Sequence, residues 1–83
     1  MSNNQENSDS ISSPRLLLAL QGLNRILGRS MVEMLIADLE RQGIMLHGNE
    51  KYPMRQVECA LTATFGSEGG MLLAEKLRKA LDL

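Results

Sequence analysis

The stretch "ATFGSEGGMLLAEKL", Ala63–Leu77, places three glycines within five residues, immediately ahead of a run with helical character. It reads either as a loop that cradles a phosphate or as a tight turn between two helices. Free N–H groups at a helix N-terminus attract anions, and glycines let a ligand approach the backbone. Yet "GSEGG" (66–70) matches neither G-x-x-x-x-G-K-[ST] nor G-x-G-x-x-G. It holds no Lys or Arg, and Glu68 would repel a phosphate. The turn reading accounts for every residue. Gly66 reverses the chain, Ser67 caps the next helix, and Gly69 and Gly70 let that helix start close to a neighbour. Leu73, Leu77 and Ala80 or Leu81 form its buried stripe, and Lys76, Arg78 and Lys79 suit the negative end of its dipole.

Upstream, Pro53 starts a third helix whose inward face is Met54, Val57, Leu61 and Phe65. A similar pattern occurs 38 residues earlier, where "LGRSMVEMLIADL" (27–39) aligns with "FGSEGGMLLAEKL" (65–77) and Gly28 matches Gly66. Ser13 and Pro14 open a first helix with Leu16, Leu20, Leu23 and Leu27 on one face, and Gly28 stops it. Ser30 and Glu33 fit a capping box for a second helix, lined by Val32, Leu35, Ile36 and Leu39. Gly43 followed by Ile44 reads as its Schellman ending. "MLHGNEKY" (45–52) is a loop. No stretch alternates with period two, so no strand is expected. The predicted fold is all-α: four helices as two packed αα-hairpins in pseudo-repeat.

The 83-residue chain bounds this to one domain. Residues 1–13, MSNNQENSDSISS, carry almost no apolar surface and read as a disordered, serine-rich tail ahead of a helical domain at 14–83. A core of that size is marginal and benefits from a staple or a partner. One cysteine, Cys59, rules out an intrachain disulfide, and His47 with Cys59 is no zinc pattern. The lone thiol and the absence of a signal-peptide pattern or a ~20-residue apolar run point to the cytoplasm and away from a membrane. The formal net charge is −1, divided as −2 in the tail, +1 over 14–43 and 0 over 44–83, so no segment carries a concentrated basic patch.

"ILGRSMVEMLIADLERQGIML" (26–46) followed by "YPMRQVECALTATFGSEGGMLLAEKLRKAL" (52–81) resembles the small helical output domains of ammonia-oxidising archaea, the Nitrosopumilus output domains. The resemblance rests on a Gly-small helix start at Gly28–Ser30, a Leu-x-x-x-Gly-Ile ending at Leu39–Ile44, and the Phe-Gly turn leading to Leu73. Gly70 stands where that pattern has alanine. The resemblance implies a helical, non-catalytic module in archaeal signalling or regulation, and it brings no catalytic residues.

The residues themselves agree with a non-enzyme. His47 lies in a polar loop with no nucleophile placed beside it, and Cys59 reads as a partly buried, inert thiol. Glu33, Glu40, Glu58, Glu68 and Glu75 have no metal-binding spacing, and Glu75 with Lys79 reads as an i, i+4 surface pair. No cofactor or metal is expected. Five methionines in the ordered part stand beside only two aromatic residues, and Met31 and Met34 widen an already apolar helix. Met31, Met34, Leu35, Met71 and Leu72 are the candidate interaction residues. The leading function is a protein-interaction module that associates with another protein or with itself as a homodimer. The alternative is a small DNA-binding regulator with a helix-turn-helix-like unit, contacting nucleic acid or an acidic partner through Arg25, Arg29, Lys76 and Lys79.

Overall fold

A computed structural model of the chain describes residues 10–83. Residues 1–9, most of the expected tail, lie outside the described residues. The elements in order are strand β1 (Ser10–Ser12), helix α1 (Ser13–Gly22), a single helical turn α2 (Asn24–Leu27), helix α3 (Arg29–Arg41), strand β2 (Lys51–Pro53) and the long helix α4 (Met54–Ala80).

The four helices as two hairpins are not what the chain forms. Three helices of ten or more residues and the short α2 pack with a two-stranded antiparallel sheet, registered as Ser10↔Pro53, Ile11↔Tyr52 and Ser12↔Lys51. The overlooked residue is Ile11, an apolar side chain set among serines. It is fully buried, opposite the buried ring of Tyr52. Burying an isoleucine contributes roughly 1.5–3 kcal/mol, enough to order a short segment that polar neighbours alone would leave loose. A two-stranded ribbon of this size is marginal by itself, and here the buried side chains of both strands belong to the helical core. The boundary of the expected tail therefore moves: residues 10–13 are structured.

Ser13 is also corrected. The cap of α1 is Ser12, whose Oγ accepts from the Arg15 N–H at 3.4 Å. Ser13 is fully buried. Its N–H donates to the Glu50 carbonyl at 2.8 Å, and its hydroxyl donates to the Met45 carbonyl at 2.6 Å. One small polar residue thus fastens the 45–50 loop to the start of α1. The Tyr52 hydroxyl completes the clasp, accepting from the Met45 N–H at 2.8 Å and donating to Glu50 Oε1 at 2.6 Å. The bond to Glu50 favours the protonated phenol and raises the Tyr52 pKa, against a smaller opposing effect of the Met45 N–H. Ser13→Ala strands the Met45 carbonyl and is expected to cost about 1–3 kcal/mol, measured by urea denaturation. An unchanged midpoint would mean that the loop is not held there.

The leucine spacing does place the core. Leu16, Leu20, Leu23, Val32, Leu35, Leu39, Met54, Val57, Leu61, Leu73, Leu77 and Leu81 are buried, while Leu27, Ile36 and Phe65 pack partly against them. The Schellman ending forms as read: Gly43 has φ 95°, and the Ile44 N–H reaches the Leu39 carbonyl at 2.9 Å. The capping box does not form. Helix α3 begins at Arg29 with Gly28 as its N-cap and no side-chain cap, and Glu33 accepts instead from Arg29 Nε at 3.3 Å.

Gly28 (φ 91°, ψ 152°) and Gly66 (φ 83°, ψ 170°) share a conformation open in practice only to glycine, and this is the structural content of the internal repeat. At Gly66 it bends α4 so sharply that Glu58 and Arg78, 20 residues apart, form an ion pair. In a straight helix that separation would span about 30 Å. Gly70 sits directly against the Thr62 backbone, which is the close approach expected of it; Gly69 makes no such approach.

Candidate functional site

Bending α4 back on itself exposes one flank of its second half beside α1 and α2. There a half-open groove of about 490 Å³ is lined by Gly22, Leu23, Ile26, Leu72, Glu75, Lys76, Lys79 and Ala80. Gly22 leaves the wall low, since a Cβ there would meet nothing within 4 Å. The groove continues past Gly22 and Ala80 into a shallower one of about 350 Å³ beside Leu18 and Arg15. On the other side of Leu72 and Glu75 lies a groove of about 440 Å³ containing Met71, Glu68, Glu58 and Arg78. Leu72 and Glu75 therefore form a ridge between two grooves.

Two polar contacts hold these walls. Arg15 Nη2 donates to the Leu81 carbonyl at 2.6 Å, tying the start of α1 to the end of α4. Arg78 Nε donates to Glu58 Oε2 at 2.7 Å, and its Nη2 reaches the same oxygen, locking the two halves of α4 together. The surface is apolar at its centre: Leu18 is 69% exposed, Ile26 61%, Met71 58% and Leu72 55%. Scattered exposed apolar residues are ordinary on a monomer, but a contiguous set rimmed by charge marks an interaction surface. Lys76 and Lys79 form part of that rim, and neither makes an ion pair with a described residue. The expected Glu75–Lys79 pair is likewise not made.

The sequence-derived candidates separate into groups. Met71 and Leu72 are exposed and lie on the grooves. Leu35 does not belong with them, because it is 1% exposed and part of the core. Met31 is half-buried against that core, whereas Met34 is exposed on α3 outside these grooves. Lys76 and Lys79 share the main groove, but Arg29 lines a different one with Gln21, Asn24, Val32, Glu33 and Ile36. Arg15, Arg25 and Arg29 lie on three different elements, α1, α2 and α3 respectively. Leu18 and Ile26 were missed. Their signal was an apolar residue off the Leu16/Leu20/Leu23 stripe, where a core-facing helix needs none.

Among the described residues, no group of three or more His, Cys, Asp or Glu is placed to hold a metal ion. His47 Nδ1 lies 2.7 Å from Glu40 Oε2 on the surface. Cys59 is exposed rather than partly buried. No helix among the described residues is long and apolar enough to cross a membrane.

A second cluster is built into the helix packing. Asp38, buried on α3, accepts from Arg41 Nη2 at 2.9 Å, Gln42 Nε2 at 2.9 Å and Thr64 Oγ1 at 2.6 Å. Gln42 Nε2 also reaches the Ala60 carbonyl at 2.9 Å. The Thr64 hydrogen bond is the largest influence holding the Asp38 pKa below its usual range; burial opposes it, and Arg41 and Gln42 reinforce it. With every acceptor turned towards a partner from α3 or α4, this cluster is a structural clamp.

Comparison with family models, with curated proteins and with solved structures finds no match to the chain.

Proposed function

We propose that this chain is a non-catalytic helical interaction module, and that its working surface is the apolar ridge and grooves around Leu72 and Ile26. The observation carrying this reading is the contiguity of Leu18, Ile26, Met71 and Leu72 along one flank, rimmed by Lys76 and Lys79, which form no ion pair with a described residue. The resemblance to archaeal output domains supports the same class and would place the module in cytoplasmic signalling or regulation.

The DNA-binding alternative draws less support. Its four basic candidates are divided between surfaces, Arg29 is paired with Glu33, and α3 also carries the acidic Glu40. A nucleic-acid reader concentrates its cations on one face.

The test is cross-linking from position 72. A photoreactive residue at Leu72 in the full chain, irradiated in native lysate with and without nuclease, should yield one dominant nuclease-resistant protein adduct. The same probe at Met34 should not. Equal, diffuse labelling from both positions would end the interaction reading. Adducts that vanish with nuclease would favour nucleic acid.

A further inference from the structure

Beyond the second half of α4 being an interaction surface, its charge pattern specifies a partner. Glu68, Leu72 and Lys76 follow one another at i, i+4 on the helix that begins after Gly66, and so share a face. Leu72 is 55% exposed at the centre. Glu68 lies four residues before it and Lys76 four after, each displaced by about 6 Å along the axis. Neither makes an ion pair with a described residue, although Arg29, Arg41, His47 and Arg78 all have carboxylate partners. The i, i+4 row thus reads acidic, apolar, basic about one leucine, with the exposed Glu75 beside Leu72 on the flank shared by the two grooves.

We infer that the occupant of this surface is a second copy of the same chain, packed antiparallel about a two-fold axis passing at Leu72. The inference rests on the proposed interaction surface and names its partner. A two-fold interface presents the same patch on both sides, so the patch must be complementary to itself. Rotation about Leu72 brings Glu68 of each copy to Lys76 of the other, forming two opposite-charge pairs, while the leucines meet at the centre. A parallel arrangement would oppose like charges instead. Beside this contact the main groove adds Ile26, 61% exposed, as an apolar neighbour of Leu72. The pairing also covers Ile26 and Leu72, the two large apolar side chains that line the main groove and remain exposed.

The experiment is sedimentation velocity of the full chain over a concentration series, with circular dichroism of each variant to confirm its helix content. The wild-type chain should sediment as a concentration-dependent dimer. Leu72→Glu should make it monomeric at every concentration. Glu68→Lys, at an exposed position, and Lys76→Glu, at a half-buried one, should each weaken the dimer about tenfold or more by opposing like charges, and the double charge swap should restore it. Met34→Glu, on α3, should leave it unchanged. Rescue by the double swap is the decisive positive result, because a merely misfolded variant would not recover. A wild-type chain that stays monomeric overturns the inference. So does a dimer that survives Leu72→Glu or shows no rescue. If the chain is monomeric yet the cross-link from position 72 still captures a different protein, the homotypic partner is wrong while the interaction surface stands.

Discussion

Gly70→Ala is expected to be the most damaging single-methyl addition in this protein, and Gly69→Ala, one residue away, to be neutral or stabilising. A Cβ built on Gly70 lies 2.4 Å from Thr62 Cα and 2.6 Å from Thr62 N, both backbone atoms of the first half of α4. No side-chain rotation relieves such an overlap, so the two halves of the helix must separate. That separation strains the neighbouring Glu58–Arg78 pair and loosens Leu61, Leu73 and Ala74, all buried close to the bend. Overpacking of a tight core costs typically 1–3 kcal/mol, and a backbone-to-backbone clash belongs at or above the top of that range. For a domain of this size, about 3 kcal/mol corresponds to a fall in melting temperature on the order of 15 °C. At Gly69 the nearest atom is Phe65 Cβ at 3.5 Å, an ordinary contact, and replacing a helical glycine by alanine gains up to ~1 kcal/mol. Thermal melts of the two variants should therefore move in opposite directions. If Gly70→Ala melts with the wild type, the halves of α4 do not meet at Thr62.

The second large effect concerns Asp38. Asp38→Ala removes the charged acceptor shared by Thr64, Gln42 and Arg41, while Thr64 Oγ1 keeps its bond from Gln42 Nε2 at 3.0 Å, so a loss of roughly 1.5–3 kcal/mol is expected. The carboxylate also makes stability depend on pH. Its pKa is lowered in the folded chain, so the folded state holds the charged form more strongly than the unfolded state does. The contribution is complete above the unfolded value of about 3.9, and it is lost as pH falls below that value and through the folded pKa. Chemical denaturation at pH 7 and at successive points below pH 4 should show the wild type losing its advantage over Asp38→Asn as the acid is protonated. A difference that stays constant from pH 7 to pH 2 would mean that the clamp does not depend on the charge.

What was legible before the structure follows from what periodicity can carry. Leu16, Leu20 and Leu23, or Met54, Val57 and Leu61, repeat at helical spacing and are buried in the places their spacing assigns. Gly43–Ile44 was legible because the Schellman ending is a local device whose partners, Leu39 and Glu40, are close in sequence. The surface was half legible. Met71 and Leu72 stand out as apolar residues beside the buried Leu73, but Leu35 could not be told from them by hydrophobicity, and only packing against the other helices decides that it is core. Ile26 and Leu18 join Leu72 through the bend at Gly66, which no local pattern measures.

By itself, the sequence determined the helical character of the chain, the position of most of its core stripes, and the glycine punctuation at 28, 43 and 66, because each depends on residues within a few positions of one another. Tertiary structure alone decided the rest. A three-residue strand carries too short a pattern to declare itself, so Ile11 needed Tyr52, 41 residues away, to become a strand. Nothing local in the sequence sets Asp38 apart from other acids; Thr64 and Gln42 close around it only in the fold. Loop and bend geometry brought Gly22, Ile26 and Leu72 to one groove. In each case the deciding free energy comes from contacts between residues distant in sequence, and these exist only once the chain has folded.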